Sequence, residues 1–187
     1  MDLTEKPITQ EYKFKGKIVN LRLDEALMPN GKTAMREVVE HNGGVMVAPL
    51  DSEYNLYFVK QFRYPYMEVV TELPAGKLEK GEDPFEAGKR ELKEETGAVA
   101  QKYTSLGKLY PTPGYCGEII HMYLAENLSF GEQNPDEDEF LEIYKISLED
   151  AYKMVMNNEI KDSKTQTAVL KIYCLKQEGK IWQQIIK

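Results

Sequence analysis

The clearest alternation of apolar and polar positions covers residues 17–27, where Val19, Leu21 and Leu23 face one way and Asn20, Arg22 and Asp24 the other. A period of two predicts a β-strand. Pro29-Asn30-Gly31 is turn chemistry, so residues 32–39 are expected to return as the second arm of a hairpin. Residues 43–50 and 55–62 are apolar, β-rich runs split by a turn at Asp51-Ser52-Glu53, and 68–73 is a further short strand. Residues 103–110 read as a strand, Pro111-Thr112-Pro113-Gly114-Tyr115 as a rigid loop, and 118–125 alternate again through Ile120, Met122 and Leu124. A strand follows at about 140–146. Ser147 then caps a helix running to about residue 157, with Glu149 and Asp150 in its first turn, and a last helix covers about 163–177. Residues 1–11 read as a poorly ordered lead-in. Strands come first, one acidic helix lies in the middle and helices close the chain, which is an α+β order.

Composition narrows the class. The chain has 187 residues, enough for one domain with a substantial core, and 42% apolar with 29% charged residues is ordinary for a soluble globular protein. A net charge of −7 argues against non-specific nucleic-acid binding, which needs a basic face. No apolar run reaches membrane-spanning length, and MDLTEKPITQ lacks the apolar core of a signal peptide, so a cytoplasmic protein is expected. Cys116 and Cys174 are too far apart for a close-spaced metal or redox pair and read as reduced thiols. His41 and His121 are too few and scattered for a zinc site.

The chemistry concentrates between Gly76 and Ala98. Asp83 is a good N-cap, Pro84 suits the first helical position, Glu86 stands where a capping box places a carboxylate, and Gly97 supplies a stop. These signals predict a helix from about Pro84 to Thr96. On it Glu91, Glu94 and Glu95 are spaced i, i+3 and i+4, one face for three like charges. A hard divalent cation such as Mg²⁺ or Mn²⁺ would relieve that repulsion and commonly works beside substrate phosphates. Taken alone, such a cluster is more often a solvated acidic face with Lys89, Arg90 and Lys93 as partners.

The whole stretch changes that balance. Gly76, five residues, Glu82, seven residues, then Arg90-Glu91-Leu92 with Glu94, Glu95, Gly97 and Ala98 resembles the signature of the Nudix hydrolases. Seven fixed identities at roughly 5–7% each give on the order of 10⁻⁸ per starting position by chance. Ala98 is smaller than the usual branched aliphatic. Outside the signature, the N-terminal hairpin, Lys60-Gln61-Phe62-Arg63, Thr112-Pro113-Gly114, residues 137–142 and Asp162-Ser163-Lys164-Thr165 look like the ADP-ribose pyrophosphatase branch, so the similarity runs over about residues 12–177. It implies a Nudix fold, a mixed β-sheet between helices, in residues 43–187. It also implies an N-terminal antiparallel β extension over residues 1–42 that makes a homodimer.

The resemblance implies site residues too. Glu91 and Glu95, with the main-chain carbonyl of Ala75 and Glu139, are the expected metal ligands, and Glu94 stands close behind. Arg90 is expected to orient a glutamate and Glu82 to brace the loop. Glu137 is the expected catalytic base, placed by aligning back from residues 147–152, with Asp136, Asp138 and Glu142 within one register error. Arg63 suits phosphate recognition. Arg36 and Glu37 occupy the hairpin position that holds the nucleoside, while Gly114 and Glu118 face the terminal ribose. Where relatives stack adenine on an aromatic, this chain reads Gly16-Lys17-Ile18, which leaves the base open. The expected activity is Mg²⁺-dependent hydrolysis of a nucleoside-diphosphate sugar, with ADP-ribose going to AMP and ribose 5-phosphate. GDP-mannose is the alternative substrate, and a non-catalytic sensing module the alternative class.

Overall fold

A computed structural model describes residues 2–134 and 140–181. It divides the chain into two compact units, Met1–Gly43 with Tyr110–Ile119, and Gly44–Leu109 with Ile120–Lys187.

The first unit is built on three antiparallel strands in the order β1 (Lys6–Lys15), β2 (Val19–Leu27), β3 (Thr33–His41). The β2–β3 hairpin turns at residues 28–32, where Gly31 donates to the Met28 carbonyl at 2.9 Å. β1 corrects the expectation of a poorly ordered lead-in. All ten of its residues are exposed, and its pairing with β2 shifts register between Pro7 and Thr9 and again between Tyr12 and Phe14. Bulges break the period of two and exposure removes the apolar face, so the strand shows in its pairing with β2 rather than in its apolar pattern. Residues 110–119 join the unit through Val39, whose N–H donates to the Tyr115 carbonyl (2.8 Å) and whose carbonyl accepts from Gly117 N–H (2.9 Å).

The second unit carries a mixed four-stranded sheet in the order β7 (Ala75–Lys77), β4 (Gly44–Pro49), β9 (Ile120–Phe130), β8 (Ala98–Leu109). β4 runs parallel to β9, and the other pairs are antiparallel. Every residue of β4 is buried, as a continuous apolar run requires of a strand covered on both faces. Val45 and Val47 pack with Ala87 and Leu92 of helix α1 (Pro84–Thr96). Met46 and Ala48 point the other way, into a core with Leu148 and Ala151 of α2 (Leu148–Met156) and Ala168, Val169 and Ile172 of α3 (Ser163–Gln177). The sheet is thus sandwiched between helices, an α+β arrangement. A second sheet has the order β10 (Glu142–Ser147), β5 (Asn55–Arg63), β6 (Glu68–Glu72). β8 begins at Ala98, five residues before the expected start, and the glycine-bracketed loop opens as the short strand β7. Among the described residues no helix is long and apolar enough to cross a membrane.

Candidate active site

Helix α1 is fixed at both ends by its own sequence. The Asp83 carboxylate accepts from the N–H groups of Phe85 (3.0 Å) and Glu86 (3.1 Å), and Pro84 occupies the first turn. Glu86 is engaged by Lys89 at 2.9 Å. At the other end Gly97 adopts φ +68°, a left-handed turn that only glycine enters without strain, and its N–H donates to the Lys93 carbonyl. The chain after β9 completes this end. Gly131 N–H donates to the Gly97 carbonyl (2.8 Å), Gln133 Nε2 to the Glu95 carbonyl (2.6 Å) and Asn134 N–H to the Glu94 carbonyl (3.1 Å).

The three glutamates of α1 are not equivalent. Glu91 and Glu95 are buried, at 9% and 2% exposure, while Glu94 is half-buried. Glu91 lies directly over Gly76, where a Cβ would displace its carboxyl, so the glycine permits this close approach. Glu95 Oε2 accepts from Ala75 N–H at 3.0 Å. One helical turn therefore lays two buried carboxylates against Ala75–Gly76. Arg90 ties the rest together. Its Nε and Nη2 donate to the two oxygens of Glu82 (3.0 and 3.2 Å), and Nη1 donates to Glu91 Oε1 and Glu94 Oε2 (both 2.9 Å). Glu82 in turn accepts from Glu79 N–H at 2.9 Å. The hydrogen bonds from Arg90 hold the Glu82 carboxyl below its ordinary range, and the carboxylates raise the Arg90 guanidinium, Glu82 first.

This donor set suits a hard divalent cation. It offers two buried carboxylates at i and i+4 beside the main chain of Ala75 and Gly76. Among the described residues no three acidic, His or Cys groups converge on a point that could hold a metal. The expected base Glu137 and ligand Glu139 lie outside the described residues.

Arg63, at the end of β5, is held by a carboxylate that the sequence did not assign. Its Nε and Nη2 donate to the two oxygens of Glu72, at 2.5 and 2.8 Å. Glu72, 2% exposed, also accepts from Lys164, which reaches Asp162 at 2.9 Å. Burial alone would raise the Glu72 carboxyl, but the Arg63 hydrogen bonds and the charge of Lys164 hold it below its ordinary range. The pairing of Glu72 with Lys164, 92 residues apart, has no local sequence signal.

The remaining expected contacts belong to the first unit. Arg36 forks onto Glu5 (2.9 and 2.7 Å) and donates from Nη1 to the Met35 carbonyl. Glu37 and Gly114 are exposed. Glu118 lies 3.5 Å from Nδ1 of His41, and that same nitrogen accepts from Gly43 N–H at 3.0 Å.

A family profile described as NUDIX domain matches residues 32–166. The chain is 46% identical over 169 residues to an ADP-ribose pyrophosphatase of Bacillus subtilis, covering 89% of this chain and 91% of that protein. It is 42% identical over 167 residues to a methanol dehydrogenase activator of Bacillus methanolicus, covering 88% and 90%. A solved structure, "Crystal structure of ADP compounds hydrolase", superposes with a TM-score of 0.83 at 21% identity, over 97% of this chain and 100% of that one. At that identity the likeness is one of fold.

Proposed function

The chain belongs to the Nudix hydrolase family, and from that premise we propose that it hydrolyses the pyrophosphate bond of nucleoside-diphosphate sugars, ADP-ribose foremost, with Mg²⁺ as its metal. The observation that carries this reading is the placement of Glu91 and Glu95, buried one helical turn apart against Ala75–Gly76. The 46% identity to an ADP-ribose pyrophosphatase supports the choice of substrate.

Glu91, Glu95, the Ala75 carbonyl and Glu139 would hold the metal, with Mn²⁺ as a substitute. When bound, the metal neutralises pyrophosphate charge and acidifies a water. Arg90 aims Glu91 and Glu94. Arg63 keeps one guanidinium edge on Glu72 and offers Nη1 to a phosphate. Arg36 and Glu37 serve the nucleoside, Gly114 and Glu118 the terminal ribose. Glu137 takes the proton as the water oxygen bonds one phosphorus. The bridging P–O bond breaks, leaving AMP and ribose 5-phosphate. The exposed β1, with Ile8, Tyr12 and Phe14 more than 40% accessible, supports a homodimer through residues 1–42, and a cytoplasmic location fits two free thiols.

The test is phosphate release from a panel of nucleoside-diphosphate sugars with Mg²⁺, with a phosphatase added to unmask the monoester products. ADP-ribose ahead is the expected result. GDP-mannose ahead would keep the metal site and overturn the substrate, and tight binding without turnover would favour a sensing module. The relative named as a methanol dehydrogenase activator supports a second reading, action on a partner enzyme, which an assay of a methanol dehydrogenase with and without this chain examines. Light scattering at a monomer mass would refute the dimer.

A further inference from the structure

The Asp162-Ser163-Lys164-Thr165 stretch stands at the start of α3, and the roles above leave it without a task. The side chains of Asp162, Lys164 and Thr165 turn to one place. Asp162 caps α3 by accepting from Thr165 N–H at 2.9 Å and holds Lys164 at 2.9 Å. Lys164 is nearly buried, with 11% of its side chain exposed, and it spends its charge on Glu72. Thr165 is fully buried, and its Oγ1 accepts from Leu73 N–H at 2.9 Å. These contacts fall on successive residues, Glu72 and Leu73, directly before Pro74 and Ala75. The rest of that corner is fixed as well. The Pro74 carbonyl accepts from Val47 N–H (2.9 Å), and Ala75 N–H donates to Glu95 (3.0 Å).

We propose that the first turn of α3 is a positioning clamp for the catalytic corner: Lys164 fixes Glu72 and through it the guanidinium of Arg63, while Thr165 fixes the main chain that presents Ala75. The proposal rests on the reading of Arg63 as phosphate ligand and Ala75 as metal ligand, and it gives the two clamp residues separable tasks. Two cations on one buried carboxylate are a costly arrangement unless geometry is needed, because an apolar pair would pack as well. Glu72 gains a fixed orientation from having both. Its oxygens can then hold Nε and Nη2 of Arg63 in one plane and leave Nη1 outside that fork. Thr165 works on the backbone instead. A hydroxyl on Leu73 N–H satisfies a buried donor and sets the direction in which the chain enters β7.

The test compares Lys164→Met and Thr165→Val with the wild-type protein on three readouts: KM and kcat for ADP-ribose, Mn²⁺ affinity followed by the signal of free Mn²⁺ in electron paramagnetic resonance, and thermal midpoint. Removing a residue that orients a ligand typically costs about 10- to 100-fold in affinity or activity. Lys164→Met is expected to raise KM about 10-fold with Mn²⁺ affinity unchanged, and to add nothing in an Arg63→Lys background, since it acts through Arg63. Thr165→Val is expected to weaken Mn²⁺ about 10-fold, with Thr165→Ser restoring it. Both variants folded with KM and Mn²⁺ affinity unchanged, or with all readouts falling together in proportion to stability, would overturn the clamp. Should either variant fail to fold, hydrogen exchange on the wild-type protein decides. Mn²⁺ with AMP should slow exchange at the Leu73 amide, and no change there would overturn it. A wild-type protein that turns over no nucleoside-diphosphate sugar would defeat the functional reading alone, since the Mn²⁺ arm needs no turnover.

Discussion

Two charged clusters in the same unit are built in opposite ways. Around Arg90, three carboxylates, Glu82, Glu91 and Glu94, share one guanidinium. Around Glu72, two cations and two carboxylates alternate: Arg63, Glu72, Lys164, Asp162. The first set is rich in negative charge beside buried Glu95, and the second is balanced. A balanced buried network fixes shape, whereas crowded carboxylates keep an appetite for cations that a fold does not need for itself. The difference separates what binds from what holds.

Substitutions can break that comparison or sharpen it. The largest effect is expected at the acidic cluster. Glu95→Gln should lower kcat by about 10³-fold, since a ligand-bound metal is worth several kcal/mol to the transition state, with only a small change in thermal midpoint. Glu137→Gln should lower kcat by about 10²–10⁴-fold at nearly unchanged KM, as removal of a general base does. Normal turnover by either variant would remove that residue from the site.

In the balanced cluster the larger consequence is stability. Glu72→Gln removes the negative charge that Arg63 and Lys164 share and should destabilise by about 3 kcal/mol, the lower end for a broken buried pair because Arg63 is partly exposed. Urea unfolding measures it. The same carboxyl gives a pH signature. Its folded pKa lies below the ordinary 4.5, so its ionisation contributes stability above about pH 4.5 that is lost as pH falls through the lowered folded value. Glu72→Gln should flatten that acid limb, and an unchanged limb would show that other carboxyls produce it.

Arg90→Met should cost about 1–2 kcal/mol, from lost hydrogen bonds and newly unmasked carboxylate repulsion. Saturating Mn²⁺ should raise the thermal midpoint of this variant more than that of the wild type, because a cation replaces the missing guanidinium. Equal shifts would break the contrast drawn here. The smallest effect belongs to Lys89→Ala, which removes an exposed pair with Glu86 and should change stability by less than about 0.5 kcal/mol.

What could be read in the sequence follows from how local its causes are. α1 was legible at both ends, because Asp83-Pro84 and Gly97 carry their own start and stop chemistry. The spacing of Glu91, Glu94 and Glu95 likewise put three carboxylates on one face. β4 was legible because two-sided burial demands an unbroken apolar run. β1 was not, since a fully exposed, twice-bulged strand has no apolar period to detect. β7 is three residues long, too short for any pattern. The grip of Lys164 on Glu72 was invisible for a different reason, as the two meet only after the chain has folded back over 92 residues. The unequal burial of Glu91, Glu94 and Glu95 was equally out of reach, because only the lie of Ala75–Gly76 across the helix decides it.

The bond from Leu73 to Thr165 also spans 92 residues, and it has a consequence in time. On a ribosome Glu82, Glu91, Glu94 and Glu95 emerge long before Thr165 does. A nascent chain halted near residue 160 carries every carboxylate of α1 but lacks the Thr165 hydroxyl and the Lys164 ammonium that act on Leu73 and Glu72. Competence for chemistry should therefore arrive late and abruptly, when the first turn of α3 leaves the exit tunnel, so a truncated chain would be an inert one rather than a weak enzyme.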